Sequence, residues 1–141
     1  MSQRGAMKVL LLDEDYRFAK SLNGRLQIQG INLHWHKSLF ELGSVGKLGN
    51  YDLIIVDPLI EPVNGLEVAE YVDTFFPGLP VILIGRQDHR FELSHWPKSV
   101  VGCSYKTELD KMVTEIKKHS VSPEKIFHFS KPTQQRNCVS A

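Results

Sequence analysis

Cysteine is scarce in this sequence, and charge of neither sign is in excess. The 141 residues include two cysteines, Cys103 and Cys138, which lack CxxC spacing, so neither a zinc site nor a disulfide framework is predicted. A formal net charge of +1 gives no electrostatic basis for binding nucleic acid or a membrane surface. No apolar run approaches the roughly 20 residues that span a bilayer, and the amino terminus lacks the apolar segment of a signal peptide. We therefore expect a cytoplasmic protein, and the hydrophobic content of 42% favours a globular domain.

One short apolar stretch organises the rest of the chain. Residues 53–56 read Leu-Ile-Ile-Val, a flat run rich in β-branched side chains that is typical of a strand buried on both faces of a parallel sheet. The run ends at Asp57 and is followed by a loop punctuated by proline and glycine. A strand that ends in this way places its carboxylate in the crevice where open α/β sheets bind ligands.

Four further strands are predicted, at residues 7–12, 31–36, 80–84 and 100–105. Helical patterns separate most of them, and right-handed crossovers then favour an α/β, doubly wound parallel sheet covered on both faces. The stretch 87–95 lacks a helical stripe and ends at Trp96-Pro97, so we expect a fourth helix that is short or distorted.

Two helix starts carry the pattern of a capping box, in which a polar residue is followed three positions later by glutamate. Asn64 precedes Glu67 in this way after the Asp57 loop, and Ser38 precedes Glu41 after the second strand. The second helix is predicted to be weak and short because Gly43 lies within it.

Charged side chains follow three of the predicted strands. Asp13 and Glu14 end the first strand, Asp57 ends the third, and Lys106 ends the fifth. Parallel strands end at the same edge, so these groups should converge there. Clustered carboxylates suit Mg²⁺ or Mn²⁺, and a lysine beside them can pair with a phosphate or with Asp57. The set predicts phosphoryl transfer onto Asp57 as the nucleophile.

Other polar and aromatic residues have weaker functional interpretations. His34 and His36 share one face of the second strand at a spacing that metal ligands use, but no third ligand is evident and we interpret them as outer-face residues of an edge strand. Cys103 in a predicted buried strand is interpreted as a small hydrophobe rather than a redox group. Trp96, in an irregular segment, is the better candidate for a partner surface.

The motifs around the three charged strand ends, together with Gly65-Leu66-Glu67 and the strand at 80–84, resemble the receiver domain of two-component response regulators, the CheY-like family. The resemblance covers residues 7–119. It implies a flavodoxin-like (βα)5 sheet of strand order 2-1-3-4-5. Residues 120–141 are then expected to be a mostly flexible tail without an output domain.

The resemblance also implies a function. Asp57 would accept a phosphoryl group from a sensor histidine kinase or a histidine phosphotransfer protein, and the signal would pass to a downstream protein target, with a homodimer possible. Mg²⁺ would be held by Asp13, Glu14, Asp57 and the backbone carbonyl of Leu59. Lys106 would contact the phosphoryl group, and the backbone N–H groups of Leu59 and Arg86 would complete its cradle.

The chain departs from the receiver pattern at the residues that transmit the signal. Gly85 stands where receivers have Thr or Ser, and Cys103 stands where they have an aromatic residue. Two interpretations therefore remain open: a receiver that is phosphorylated on Asp57, and a pseudo-receiver that binds partners without phosphate control. A flavodoxin-type cofactor protein is disfavoured because Asp13, Glu14 and Asp15 would repel a cofactor phosphate.

Overall fold

A computed structural model of the chain describes residues 6–91 and 95–120. The strands are β1 (Lys8–Leu12), β2 (Asn32–His36), β3 (Leu53–Val56), β4 (Val81–Gly85) and β5 (Val100–Tyr105). The α-helices are α1 (Tyr16–Ile28), α2 (Gly65–Phe75) and α3 (Leu109–Lys117), and two 3₁₀ segments cover Leu39–Leu42 and Val45–Asn50.

The five strands form one parallel sheet in the order β2-β1-β3-β4-β5. This order confirms the flavodoxin-like topology that the resemblance to receiver domains implies. Leu12 of β1 pairs in register with Val56 of β3, and Gly85 of β4 pairs with Tyr105 of β5. The residues that follow these strands therefore leave the sheet at the same edge.

Alternate residues of the central strands pack into two separate cores, because successive side chains of a strand point to opposite faces. Ile54 and Val56 face the core beneath α2, whereas Leu53 and Ile55 face the core beneath α1 and α3. All four side chains are fully buried. Shortening Leu53, Ile54 or Ile55 to alanine is expected to cost about 2–5 kcal/mol of folding free energy, so β3 is a well-packed support for Asp57.

Helix α1 begins and ends at residues suited to those positions. The side chain of Asp15 accepts a hydrogen bond from the N–H of Phe18, which caps the helix start. The chain leaves the helix through Gly30, whose φ of 76° lies in the left-handed region that glycine adopts without strain. The buried stripe of the helix consists of Phe18, Ala19, Leu22 and Leu26.

The capping box predicted for α2 is confirmed, and the one predicted at Ser38 is wrong. The N–H of Glu67 donates to Asn64 Oδ1 at 2.9 Å, and the N–H of Asn64 donates to Glu67 Oε1 at 3.0 Å. Ser38 makes no capping hydrogen bond, and Glu41 instead accepts from the N–H of Lys37 at 2.8 Å. The segment forms 3₁₀ turns because glycines interrupt it.

The connection between β4 and β5 forms turns and bends, not a regular helix, over its described residues 86–91 and 95–99. Phe91 anchors it, with its ring 5% exposed in the core beneath α2. Asp73 near the end of α2 accepts hydrogen bonds from the N–H groups of Lys98 and Ser99 at 2.8 and 2.7 Å. The connection lacks an apolar helical stripe, and it is held instead by the buried ring of Phe91 and by the hydrogen bonds to the Asp73 carboxylate.

Helices of the described residues are all too short or too polar to cross a membrane. The predicted domain boundary at 119 stays a prediction, and the predicted flexible tail, residues 120–141, lies outside the described residues except for Ser120.

Candidate functional site

The ends of β1, β3 and β5 bring three charged side chains into contact. The ammonium nitrogen of Lys106 lies 2.8 Å from Asp13 Oδ2 and 3.2 Å from Asp57 Oδ2. It also lies 3.7 Å from Asp15 Oδ2. Side chains that are 93 and 49 positions from Lys106 along the chain therefore share one cation, as the strand order requires.

Backbone hydrogen bonds extend the sheet pairing by one residue and fix these strand ends. The N–H of Asp57 donates to the carbonyl of Leu12 at 3.1 Å, and the N–H of Lys106 donates to the carbonyl of Gly85 at 2.8 Å. The N–H of Asp13 donates to the carbonyl of His36 at 3.1 Å. The charged side chains thus start from a backbone that has little freedom to move.

The cluster is largely shielded from water. The exposed fractions of the Asp13, Lys106 and Asp57 side chains are 2%, 11% and 14%. The ring of Phe18 lies 5.5 Å from Lys106 Nζ, so an aromatic face closes the inner side of the ammonium. Electrostatic interactions between these groups are stronger here than on an open surface, because water screens them less.

Burial and ion pairing act in opposite directions on the central pair. Burial raises the pKa of Asp13, and the neighbouring Lys106 only partly offsets this effect. Burial by itself would lower the pKa of Lys106, but the hydrogen bond to Asp13 and the charges of Asp13 and Asp57 more than compensate, so the pKa of Lys106 is raised. Lys106 is therefore a permanent cation at neutral pH.

The two oxygens of the Asp13 carboxylate differ in their hydrogen bonding. Lys106 donates a hydrogen bond to Asp13 Oδ1 at 3.0 Å. Oδ2 is close to the ammonium but is buried without a hydrogen-bond partner of acceptable geometry among the described residues. A buried carboxylate oxygen without a donor is costly, and a small hard cation is one group that would satisfy it.

A pocket of about 320 Å³ lies over this cluster. It is lined by all six residues that the sequence singles out, namely Asp13, Glu14, Asp57, Leu59, Arg86 and Lys106, together with Asp15 and Ile60. The N–H of Leu59 donates to Asp57 Oδ1 at 2.8 Å, so this backbone group is directed at the carboxylate. Glu14 and Arg86 are exposed at the rim.

The direct contact between Lys106 and Asp13 is a feature that the sequence does not predict. Within residues 6–91 and 95–120, no three His, Cys, Asp or Glu side chains are grouped closely enough to form a ready metal site. The ammonium of Lys106 lies between Asp13 and Asp57 and neutralises them instead. The ligand set Asp13, Glu14, Asp57 and the Leu59 carbonyl therefore stays a prediction.

Trp35 is a site neighbour that sequence reasoning missed. Its indole N–H donates to the backbone carbonyl of Asp13 at 2.6 Å, and its ring lies 5.6 Å from that of Tyr16. The only sequence signal is its alternation with His34 and His36, which places it on the inner face of β2. Those two histidines lie outside the pocket.

The surroundings of Gly85 differ from what a hydroxyl-bearing residue would need. A Cβ atom at this position would lie 3.1 Å from Cβ and Cδ2 of His89 and 3.1 Å from Cζ of Phe91. Phe91 in turn packs against Trp96, with ring centroids 6.3 Å apart. Cys103 is buried in β5. Two aromatic rings thus occupy the space beside the strand end where receivers carry Thr or Ser.

Solved structures similar to this chain include response-regulator receivers. The chain is 17% identical to the receiver domain of the Francisella response regulator 1452, with a TM-score of 0.65, over 81% of this chain and 96% of that one. It is 16% identical to the chemotaxis protein CheY4 of Vibrio cholerae, with a TM-score of 0.60, over 81% and 98%. A third similar chain comes from the complex of histidine kinase ThkA with response regulator TrrA: identity is 22%, the TM-score is 0.68, and coverage is 82% and 99%.

No protein-family model matches the chain, and no curated protein sequence matches it. The structural comparisons therefore establish the fold: this chain has the CheY-like receiver fold.

Proposed function

We propose that this chain is a receiver that accepts a phosphoryl group on Asp57 and signals through a protein target. The observation that carries the proposal is the contact of one partly buried lysine with both Asp13 and Asp57, the second of which follows a fully buried strand. A lysine that only stabilised the fold would need a single carboxylate partner. A second carboxylate that is open to a pocket and faces both an ammonium and a backbone N–H suits a nucleophile.

The chemistry needs no acid or base from the protein beyond these groups. An oxygen of the Asp57 carboxylate attacks the phosphorus of a phosphorylated histidine whose other ring nitrogen has taken a proton from water. The P–N bond breaks with its electron pair going to the ring, so a neutral imidazole leaves and an acyl phosphate forms on Asp57. The ammonium of Lys106 and the N–H of Leu59 stabilise charge on the transferred group. Asp13, Glu14 and Asp57 would hold Mg²⁺ or Mn²⁺, which would neutralise the carboxylates and the phosphoryl oxygens.

The donor is proposed to be a histidine kinase or a histidine phosphotransfer protein. This assignment is supported by the fold, because one similar chain was solved in complex with a histidine kinase. Leu59 lines the pocket and is exposed, so it offers a partner an apolar contact near Asp57.

The test is intact-mass spectrometry after incubation with Mg²⁺ and a small phosphodonor such as acetyl phosphate. The expected result is a gain of one phosphoryl group that is lost in Asp57→Asn and after removal of Mg²⁺ with a chelator. Asp52→Asn is a matched control, since Asp52 precedes β3 at the opposite edge of the sheet and should leave the gain intact. An unchanged mass in the wild-type protein would contradict the proposal.

The alternative is a pseudo-receiver that binds its partner without phosphorylation, and one specific observation favours it. Gly85 carries no hydroxyl, and a side chain added there would have to displace His89 and Phe91. This alternative predicts that partner binding is the same for the wild-type protein and for Asp57→Asn, whereas the receiver proposal predicts that binding depends on the phosphodonor.

A further inference from the structure

Strand β4 ends directly before Arg86, which lines the pocket, and its last residue supplies no side-chain hydrogen-bond donor. Gly85 is the last residue of β4, and it has no side chain to direct at a phosphoryl group on Asp57. His89 and Phe91 lie 3.1 Å from where its Cβ would be, so neighbouring side chains close that space. A side-chain donor on this side must therefore come from a residue other than Gly85.

Arg86 is the residue placed to supply it. It follows Gly85 directly, and the carbonyl of Gly85 accepts the hydrogen bond of the Lys106 N–H at 2.8 Å, so Arg86 and Lys106 leave the sheet side by side. Arg86 lines the pocket over Asp57. Among the described residues no carboxylate lies within ion-pair distance of its guanidinium, whereas Lys106 is already shared by three aspartates.

We propose that the guanidinium of Arg86 binds the phosphoryl oxygens on Asp57 and replaces the hydroxyl that is missing at Gly85. A guanidinium presents several N–H donors in a planar fork that matches phosphate oxygens, and it keeps its proton throughout. Its role is to bind and hold the transferred group, with no proton moving to or from it. This inference rests on the proposed phosphorylation of Asp57.

The charge balance of the pocket supports this role. Four carboxylates line it, those of Asp13, Glu14, Asp15 and Asp57, against two cations, Lys106 and Arg86. A bound Mg²⁺ would offset this excess, and conversion of Asp57 to an acyl phosphate would then add negative charge again. Lys106 already contacts Asp13 and Asp57, so Arg86 is the lining cation that can add a further charge to the incoming group.

The test compares Arg86→Gln, which removes the charge, and Arg86→Lys, which keeps the charge without the fork. Arg90→Gln is the matched control, because Arg90 is exposed in the same connection but does not line the pocket. Two quantities are measured: the affinity for beryllium fluoride with Mg²⁺, followed by ¹⁹F NMR, and the lifetime of the phosphorylated protein, followed by intact mass. Thermal unfolding checks that each variant is folded.

The expected result is a loss of affinity for beryllium fluoride of about tenfold or more in Arg86→Gln, the size expected for hydrogen bonds to a charged group. Arg86→Lys should fall between Arg86→Gln and the wild-type protein, and Arg90→Gln should match the wild-type protein. The effect on the lifetime of the phosphorylated protein should also be largest in Arg86→Gln, intermediate in Arg86→Lys and absent in Arg90→Gln. Wild-type affinity and lifetime in Arg86→Gln would overturn the role of Arg86 alone. Failure of the wild-type protein to bind beryllium fluoride or to gain mass would overturn the phosphorylation of Asp57 as well.

Discussion

The indole N–H of Trp35 donates a hydrogen bond to the backbone carbonyl of Asp13 at 2.6 Å. This bond ties the edge strand β2 to the loop that carries the buried acid of the site. The ring is partly buried beside Tyr16, so its surroundings should respond when the charge on Asp13 is neutralised.

Trp35 should therefore report Mg²⁺ binding. The chain has two tryptophans, and Trp96→Phe leaves Trp35 as the single emitter. In that background, titration with Mg²⁺ is expected to change the fluorescence in a saturable way, because the cation alters the field at the carbonyl of Asp13. Asp13→Asn should abolish the change. Cation binding at this carboxylate would be contradicted if Asp13→Asn kept the full fluorescence change, or if the Trp96→Phe protein showed none.

Removal of Lys106 should strongly destabilise the fold. In Lys106→Met the carboxylate of Asp13, 2% exposed, loses its counter-ion. Leaving a buried charge without its partner costs about 3–5 kcal/mol, measured as the free energy of unfolding in urea at pH 7. The double variant Asp13→Asn with Lys106→Met should regain much of the loss, because the buried charge is then absent. If the changes in unfolding free energy of the two single variants simply add in the double variant, the two side chains are not coupled.

A methyl group at Gly85 should cost stability, and one at Gly24 should add it. At Gly85 the new Cβ would meet His89 and Phe91 at 3.1 Å, and overpacking of this kind costs about 1 kcal/mol or more. At Gly24, inside α1, a Cβ meets nothing within 4 Å. Alanine there should stabilise the protein by about 0.5–1 kcal/mol through helix propensity.

Thermal and urea unfolding of the two alanine variants provide the comparison. Equal stability of Gly85→Ala and the wild-type protein would mean that His89 and Phe91 yield easily. The space beside β4 would then be open to a hydroxyl-bearing residue, and the case for the pseudo-receiver would weaken.

His119 should make stability depend on pH below neutrality. Burial lowers the pKa of this imidazole, and the attraction of Glu115 only partly opposes the effect. Its pKa in the folded state is therefore below the unfolded value of about 6.5. The unfolded chain takes up the proton first, so stability is fully present above pH 6.5 and falls as the pH decreases towards the folded pKa.

The matched variant for this prediction is His119→Gln, which cannot take up the proton. The difference in unfolding free energy between the wild-type protein and His119→Gln should be constant above pH 7 and should shift against the wild-type protein below pH 6.5. A difference that does not vary between pH 5 and pH 8 would show that the ring titrates alike in both states.

The sequence predicts those parts of the site that depend on strand direction. Parallel strands end at one edge, so the positions of Asp13, Asp57 and Lys106 at strand ends suffice to place them together. The capping box of Asn64 and Glu67 is predictable for a similar reason, because it is encoded within four residues.

Contacts that depend on side-chain packing between distant elements are not predictable in this way. The approach of Lys106 to Asp13, the hydrogen bond from Trp35 and the filling of the space beside Gly85 by Phe91 depend on rotamers and on loops that the strand pattern does not specify. The cap expected at Ser38 fails because glycines downstream favour 3₁₀ turns over an α-helix.

The most direct test of the account is to locate the phosphoryl group. The protein is incubated with Mg²⁺ and acetyl phosphate and then treated with borohydride, which reduces an acyl phosphate to an alcohol, and the peptides are sequenced by mass spectrometry. The account predicts homoserine at position 57 and nowhere else, with none in the chelated sample. Modification at another carboxylate, or unmodified Asp57 in every peptide, would contradict it.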